Sequence, residues 1–128
     1  MSEMSNYLEN ALINVTLRAT SYTAPTTVYV SLWTSDPTDA GSGAEVSGGS
    51  YARTAVTFAA PSNGVTTNSA DVTFPTATAS WGTVGWIGIN DAATSGNLLY
   101  HSPLDTSKTI DSGDIFKIST GNLSVTLA

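Results

Sequence analysis

Hydrophobic and polar positions change period once along this chain. Near the N-terminus Leu8, Ala11, Leu12, Val15 and Ala19 fall at the spacing of one helix face. Ser5 precedes them as a suitable N-cap, so the pattern predicts a short helix within residues 5–19. Beyond Ala24-Pro25 the period becomes two. Val28, Val30 and Leu32 alternate with Tyr29, Ser31 and Trp33, as in a strand, and Ser35-Asp36-Pro37 ends the run. Residues 51–58 follow the same rule, with Ala52, Thr54, Val56 and Phe58 on one face. Further strands are expected at 71–74, 81–90, 98–104, 115–119 and 123–127. In the apolar run 81–90, Trp86 and Ile87 point to opposite faces, so both faces should be at least partly covered. Asp39 to Gly49, rich in glycine, reads as a long surface loop.

Roughly seven or eight short strands separated by turn signals predict an all-β fold. The expected architecture is an antiparallel β-sandwich with one short N-terminal α-helix. Residues 1–24 are assigned to an N-terminal segment and helix, a candidate assembly arm. Residues 25–128 are assigned to the β-sandwich domain. The length of 128 residues suits one ordinary domain. No repeat, heptad or collagen-like period is present to encode a fibrous shaft.

Composition narrows the function. The chain is 41% hydrophobic, enough for a core, but only 11% charged, with a net charge of −6. Arg18, Arg53, Lys108 and Lys117 are its only basic residues and are scattered, so nucleic-acid binding and attraction to anionic membranes are both disfavoured. No apolar run approaches a membrane span, and Met1–Asn10 lacks the features of a signal peptide. The absence of cysteine excludes disulfides, thiolate metal sites and thiol catalysis.

Candidate chemistry is sparse. His101 is the only histidine, and Ser102 beside it on a strand points to the opposite face. His101 is therefore expected at the surface or an edge. No nucleophile elbow or phosphate-binding loop occurs. Asp36 with Asp39, and Asp111 with Asp114, have spacings compatible with calcium but fit turn-capping better. No catalytic residue, metal or cofactor is expected. The candidate sites are contact surfaces. On the helix, Tyr7, Leu8, Leu12, Ile13 and Leu17 spread the apolar surface wider than one sheet contact would cover, which marks a candidate assembly interface. On the first long strand, Tyr29 and Trp33 form a candidate exposed aromatic contact, whereas Trp86 is expected in the core.

Several segments carry a resemblance as an ordered set. They are Ser5-Asn6-Tyr7-Leu8-Glu9-Asn10-Ala11-Leu12, the run from Val28 to Asp39 through Leu32-Trp33-Thr34-Ser35-Asp36-Pro37, and Glu45-Val46-Ser47-Gly48-Gly49-Ser50-Tyr51-Ala52-Arg53. Val72-Thr73-Phe74-Pro75, Ala79-Ser80-Trp81-Gly82-Thr83-Val84 and Gly96-Asn97-Leu98-Leu99-Tyr100 complete it. Over most of its length the chain resembles small virion structural proteins of tailed bacteriophages, described as tail-fibre-like or as capsid cement and decoration proteins. Trp33 stands where that family is expected to have Phe. The resemblance implies a non-enzymatic virion protein, assembled in the bacterial host cytoplasm, with other virion proteins as partners. Compactness and the lack of a shaft favour a capsid cement protein that self-associates as a homo-oligomer and contacts the major capsid protein. A tail or tail-fibre-associated subunit is the alternative. A carbohydrate-binding module for host attachment is the third reading.

Overall fold

A computed structural model describes residues 2–127. Its elements are β1 (Glu3–Met4), α1 (Asn6–Leu17), β2 (Val28–Trp33), β3 (Thr54–Val56), β4 (Val65–Thr67), β5 (Val72–Thr73), β6 (Gly82–Asn90), β7 (Leu98–Ile110), β8 (Lys117–Ile118) and β9 (Ser124–Thr126). A five-stranded sheet has the order β1-β7-β6-β2-β3, and two small sheets pair β4 with β9 and β5 with β8. Every pairing is antiparallel. The molecule is thus mostly β with one short helix, and sandwich-like.

Alternation along β2 and β6 builds the core. Val30 and Leu32 pair with Ile89 and Ile87 on one face of the large sheet. The core there gathers Val30, Leu32, Ile87, Val84 and Ile110 of the large sheet, and Trp81 just before β6, with Val72, Phe74 and Phe116 from the segments around β5 and β8. Aromatic rings supply much of the area. Phe74 lies edge-on to Phe116 at 5.6 Å and stacks with Tyr51 at 6.2 Å. Tyr51 also meets Trp81 edge-on at 5.5 Å. Such pairs add about 0.5–1.5 kcal/mol each beyond area burial.

The predicted boundaries shift in places. β1 and β4 are additional strands, too short to show any period. The segment 51–58 narrows to Thr54–Val56, with an isolated bridge from Phe58 to Asn68. β7 runs past residue 104 to Ile110, and its register against β6 is irregular: Trp86 pairs with Pro103, but Val84 pairs with Lys108. Two steps along β6 thus span five along β7, a bulge that breaks the alternation read from sequence.

The helix begins as expected. The Ser5 hydroxyl accepts from the Leu8 N–H at 3.2 Å and itself donates to the Leu98 carbonyl, while the Ser5 N–H donates to Leu99 O at 2.9 Å. The cap is thereby pinned to β7. β1, just before it, pairs Glu3 with His101 and Met4 with Tyr100. The expected division between residues 1–24 and 25–128 is crossed at this point, because residues 3–4 belong to the large sheet. Beyond the first turn the helix docks weakly: Leu8 is its one buried residue.

Candidate functional site

The second face of the large sheet is built from the other half of the alternation. Tyr29, Ser31 and Trp33 of β2 pair with Asn90, Gly88 and Trp86 of β6. Trp33 is not the exposed aromatic expected from the sequence; it is 5% exposed. Residues 39–41, residues 95–97 and the start of α1 lie over it. Its indole N–H donates to Ser31 Oγ at 2.8 Å, and the Ser31 hydroxyl donates to Asn90 Oδ1 at 2.7 Å. Gly88 is needed beneath this chain, since a Cβ there would lie 2.7 Å from Ser31 Oγ and 2.9 Å from Trp33 Nε1. Tyr29 is half-buried rather than open, and so is Trp86, which was expected in the core.

Two polar clusters hold the covering loops. In the first, Arg53 grips Glu45 through two parallel bonds of 2.9 Å, from Nε to Oε2 and from Nη2 to Oε1. The Tyr51 hydroxyl donates to Glu45 Oε2 at 2.7 Å and accepts from the Leu32 N–H at 3.0 Å. Arg53 Nη1 reaches the Ala92 and Ser95 carbonyls at 3.0 and 2.8 Å, which ties down the turn between β6 and β7. Burial raises the Glu45 carboxyl, but the hydrogen bonds from Arg53 and Tyr51 outweigh it and hold the group below the ordinary carboxylate value. Burial, reinforced by the bond to Glu45, pushes the Tyr51 phenol well up. The Arg53 guanidinium is raised by its bonds to Glu45.

In the second cluster His101 is buried at 5% exposure, not at the surface or an edge, because β1 pairs alongside it on β7. Its Nε2 lies 2.8 Å from Asp39 Oδ1 and 3.9 Å from Glu3 Oε2, and its Nδ1 is 4.0 Å from Asp36 Oδ1. Glu3, Asp39 and His101 are of metal-ligating type and sit close together. The imidazole and Asp39 already satisfy one another by a direct hydrogen bond. Asp36 caps its own turn by accepting from the Thr38 N–H at 2.9 Å. Asp114 likewise accepts from the Asp111 N–H at 2.9 Å. The aspartates at those turns act as turn residues, with Asp39 diverted to the histidine.

Between these clusters lies a depression of about 310 Å³, lined by Asn6, Tyr7, Trp33, Asp39, Asn90 and Asn97 among others. A second, larger cleft of about 420 Å³ opens between the two layers, over Ile87, Ile89, Tyr100, Leu123 and Val125.

The helix candidates divide. Leu8 is buried and Leu12 half-buried, whereas Tyr7, Ile13 and Leu17 are 42%, 53% and 78% exposed. Sequence reasoning did not single out Glu45, Arg53, Ser31 or Asn90 as partners. The signal available was polar residues at positions that an apolar strand would fill, in a chain otherwise poor in charge.

A family model described as podophage GP4 fiber I protein gp80 matches residues 3–126. The chain belongs to this family. None of the curated proteins matches it. Membership makes it a structural protein of the phage virion, in agreement with the resemblance carried by the sequence segments. The fibre description supports the tail-fibre alternative over the capsid cement reading that compactness had favoured.

Proposed function

We propose that this chain is a non-enzymatic subunit associated with a phage fibre, and that it joins its assembly through the outer face of α1. The fibre description of its family supports the placement. The observation that carries the docking surface is the exposure of Ile13 and Leu17 on a helix pinned only at its first turn. Adjacent large apolar side chains left open on a small domain mark a contact surface, and each contributes about 1.5–3 kcal/mol when fully covered. In this reading residues 2–8 belong to the core and residues 9–19 to the assembly. The partners are further copies of the chain and neighbouring virion proteins. The major capsid protein, the partner in the cement reading, gives way to fibre or tail components.

The test pairs Ile13→Asp with Leu17→Asp in the full chain, followed by light scattering and incorporation into virions. The expected result is a folded protein with unchanged Tm that no longer self-associates and is missing from particles. Normal assembly by the double variant would overturn the docking surface. Electron microscopy of particles labelled on this subunit separates fibre from capsid: label spread over the head would restore the cement reading.

A further inference from the structure

Asn90 is 3% exposed, yet only half of its amide is used. The Trp33 N–H donates to Ser31 Oγ, and the Ser31 hydroxyl donates to Asn90 Oδ1. The Asn90 NH2 group is left with two donors and no acceptor among the described residues. Among the described residues no buried side-chain nitrogen is sealed away without a partner, so this one meets open space, and the depression it lines provides that space. A buried donor facing a cavity costs free energy unless an oxygen comes to it.

The surroundings define that oxygen's owner. Arg53 lines the same depression, but four of its N–H donors already serve Glu45, Ala92 and Ser95, and its charge is matched by Glu45. Among the described residues, therefore, no free cation faces an anionic ligand there. Acceptors stand at the rim instead. Among the described residues Asp39 spends Oδ1 on His101 and keeps Oδ2 free, and Asn97 gives one N–H to Asp91 and keeps Oδ1 free. The Tyr7 ring, 42% exposed, forms one wall. A ligand here must accept from the floor, donate to the rim and present an apolar face to an aromatic ring. A neutral pyranose meets all three requirements: each hydroxyl both donates and accepts, and its C–H face packs on a ring. The volume of about 310 Å³ is at the small end for ligand sites and suits one sugar unit.

From this geometry we infer that the depression between the start of α1, residues 39–41 and residues 95–97 is a binding subsite for one neutral saccharide unit. Asn90 reads a ligand oxygen, Asp39 and Asn97 take ligand hydroxyls, and Tyr7 carries the sugar face. The subsite is independent of the outer helix face and of where the subunit sits on the particle.

The test is a titration of the 15N-labelled full chain with glucose, galactose, rhamnose and N-acetylglucosamine. Parallel arms use purified bacterial O-polysaccharide, calcium chloride and inorganic phosphate. At least one sugar, free or within the polysaccharide, should shift the Asn90 side-chain amide and the backbone amides of Tyr7 and Gly96. A single unit should bind with a Kd of about 1 mM. Tyr7→Ala should weaken binding about tenfold with Tm unchanged, while Tyr7→Phe keeps it. Asn90→Asp, which retains the acceptor for Ser31 and removes the donors, should abolish it. Three results would overturn the inference: no shift with any saccharide, shifts confined to other residues, or Tyr7→Ala binding as the parent does. Movement of the same resonances by calcium or phosphate alone would also overturn it.

Discussion

The two faces of the large sheet are held by different physics, although the same two strands build both. On the core face Val30, Leu32, Val84 and Ile87 meet the aromatic cluster, and stabilisation scales with apolar area. On the loop-covered face Ser31, Trp33 and Asn90 are equally buried but joined by a directional chain of hydrogen bonds. Area tolerates substitution by another apolar residue of similar volume. A directional chain does not, because removing one member orphans its neighbours. The core face therefore carries most of the stability, and the loop-covered face carries geometry. The depression fringed by both loops and the helix start lies on the second face.

That contrast can be broken at several points. The largest effect is expected at Phe74, which is 2% exposed and touches Tyr51 and Phe116. Phe74→Ala should lose about 3–5 kcal/mol in urea unfolding. A loss under about 1 kcal/mol would show that the opposing layer is not part of the core. Next comes Arg53→Ala, which strands Glu45 and frees the turn at Ala92 and Ser95. The expected cost is about 2–4 kcal/mol, together with faster amide exchange over residues 91–97. Ser31→Ala removes little area but orphans Trp33 Nε1 and Asn90 Oδ1, and should cost about 1–3 kcal/mol. If it proved neutral, the chain of bonds would be incidental.

Acid sharpens the same comparison. The folded-state value of Glu45 lies below its ordinary 4.5, so between the two values the unfolded chain binds more protons than the folded one. Stability then rises with pH in that window. The contribution is complete above about pH 4.5 and is lost as pH falls through the depressed value. Asp71 acts in the same direction, held down by the Thr120 N–H and hydroxyl and then by Lys117, but it is exposed and screened. Glu45→Gln should flatten the acid limb of a Tm-against-pH curve more than Asp71→Asn does. The reverse order would mean that the exposed pair, not the Glu45 cluster, governs acid sensitivity. The smallest effect belongs to the outer helix: Ile13→Asp should change monomer stability by no more than about 0.5 kcal/mol. A larger loss would place Ile13 inside the fold.

The sequence by itself determined the class of fold and most of its elements. Period-two alternation from Val28 to Trp33, the apolar run of residues 81–90, and three- to four-residue spacing after Ser5 are local signals that the sequence carries on its own. Turn chemistry was local as well: Asp36 and Asp114 cap turns in the way their spacing suggested. Two-residue strands such as β1 carry no period, so pairing with β7 alone defines them. The tertiary structure also decided which face each side chain would see. Alternation places Trp33 opposite Leu32 but says nothing of what folds over it; that depended on residues 39–41, 95–97 and the helix start arriving from three parts of the chain. The same convergence buried His101 beside Asp39, joined Arg53 to Glu45 and left the Asn90 amide facing a cavity. Partners 59 or 62 residues apart in sequence leave no periodic trace, because a hydrogen bond depends on distance in space and not along the chain.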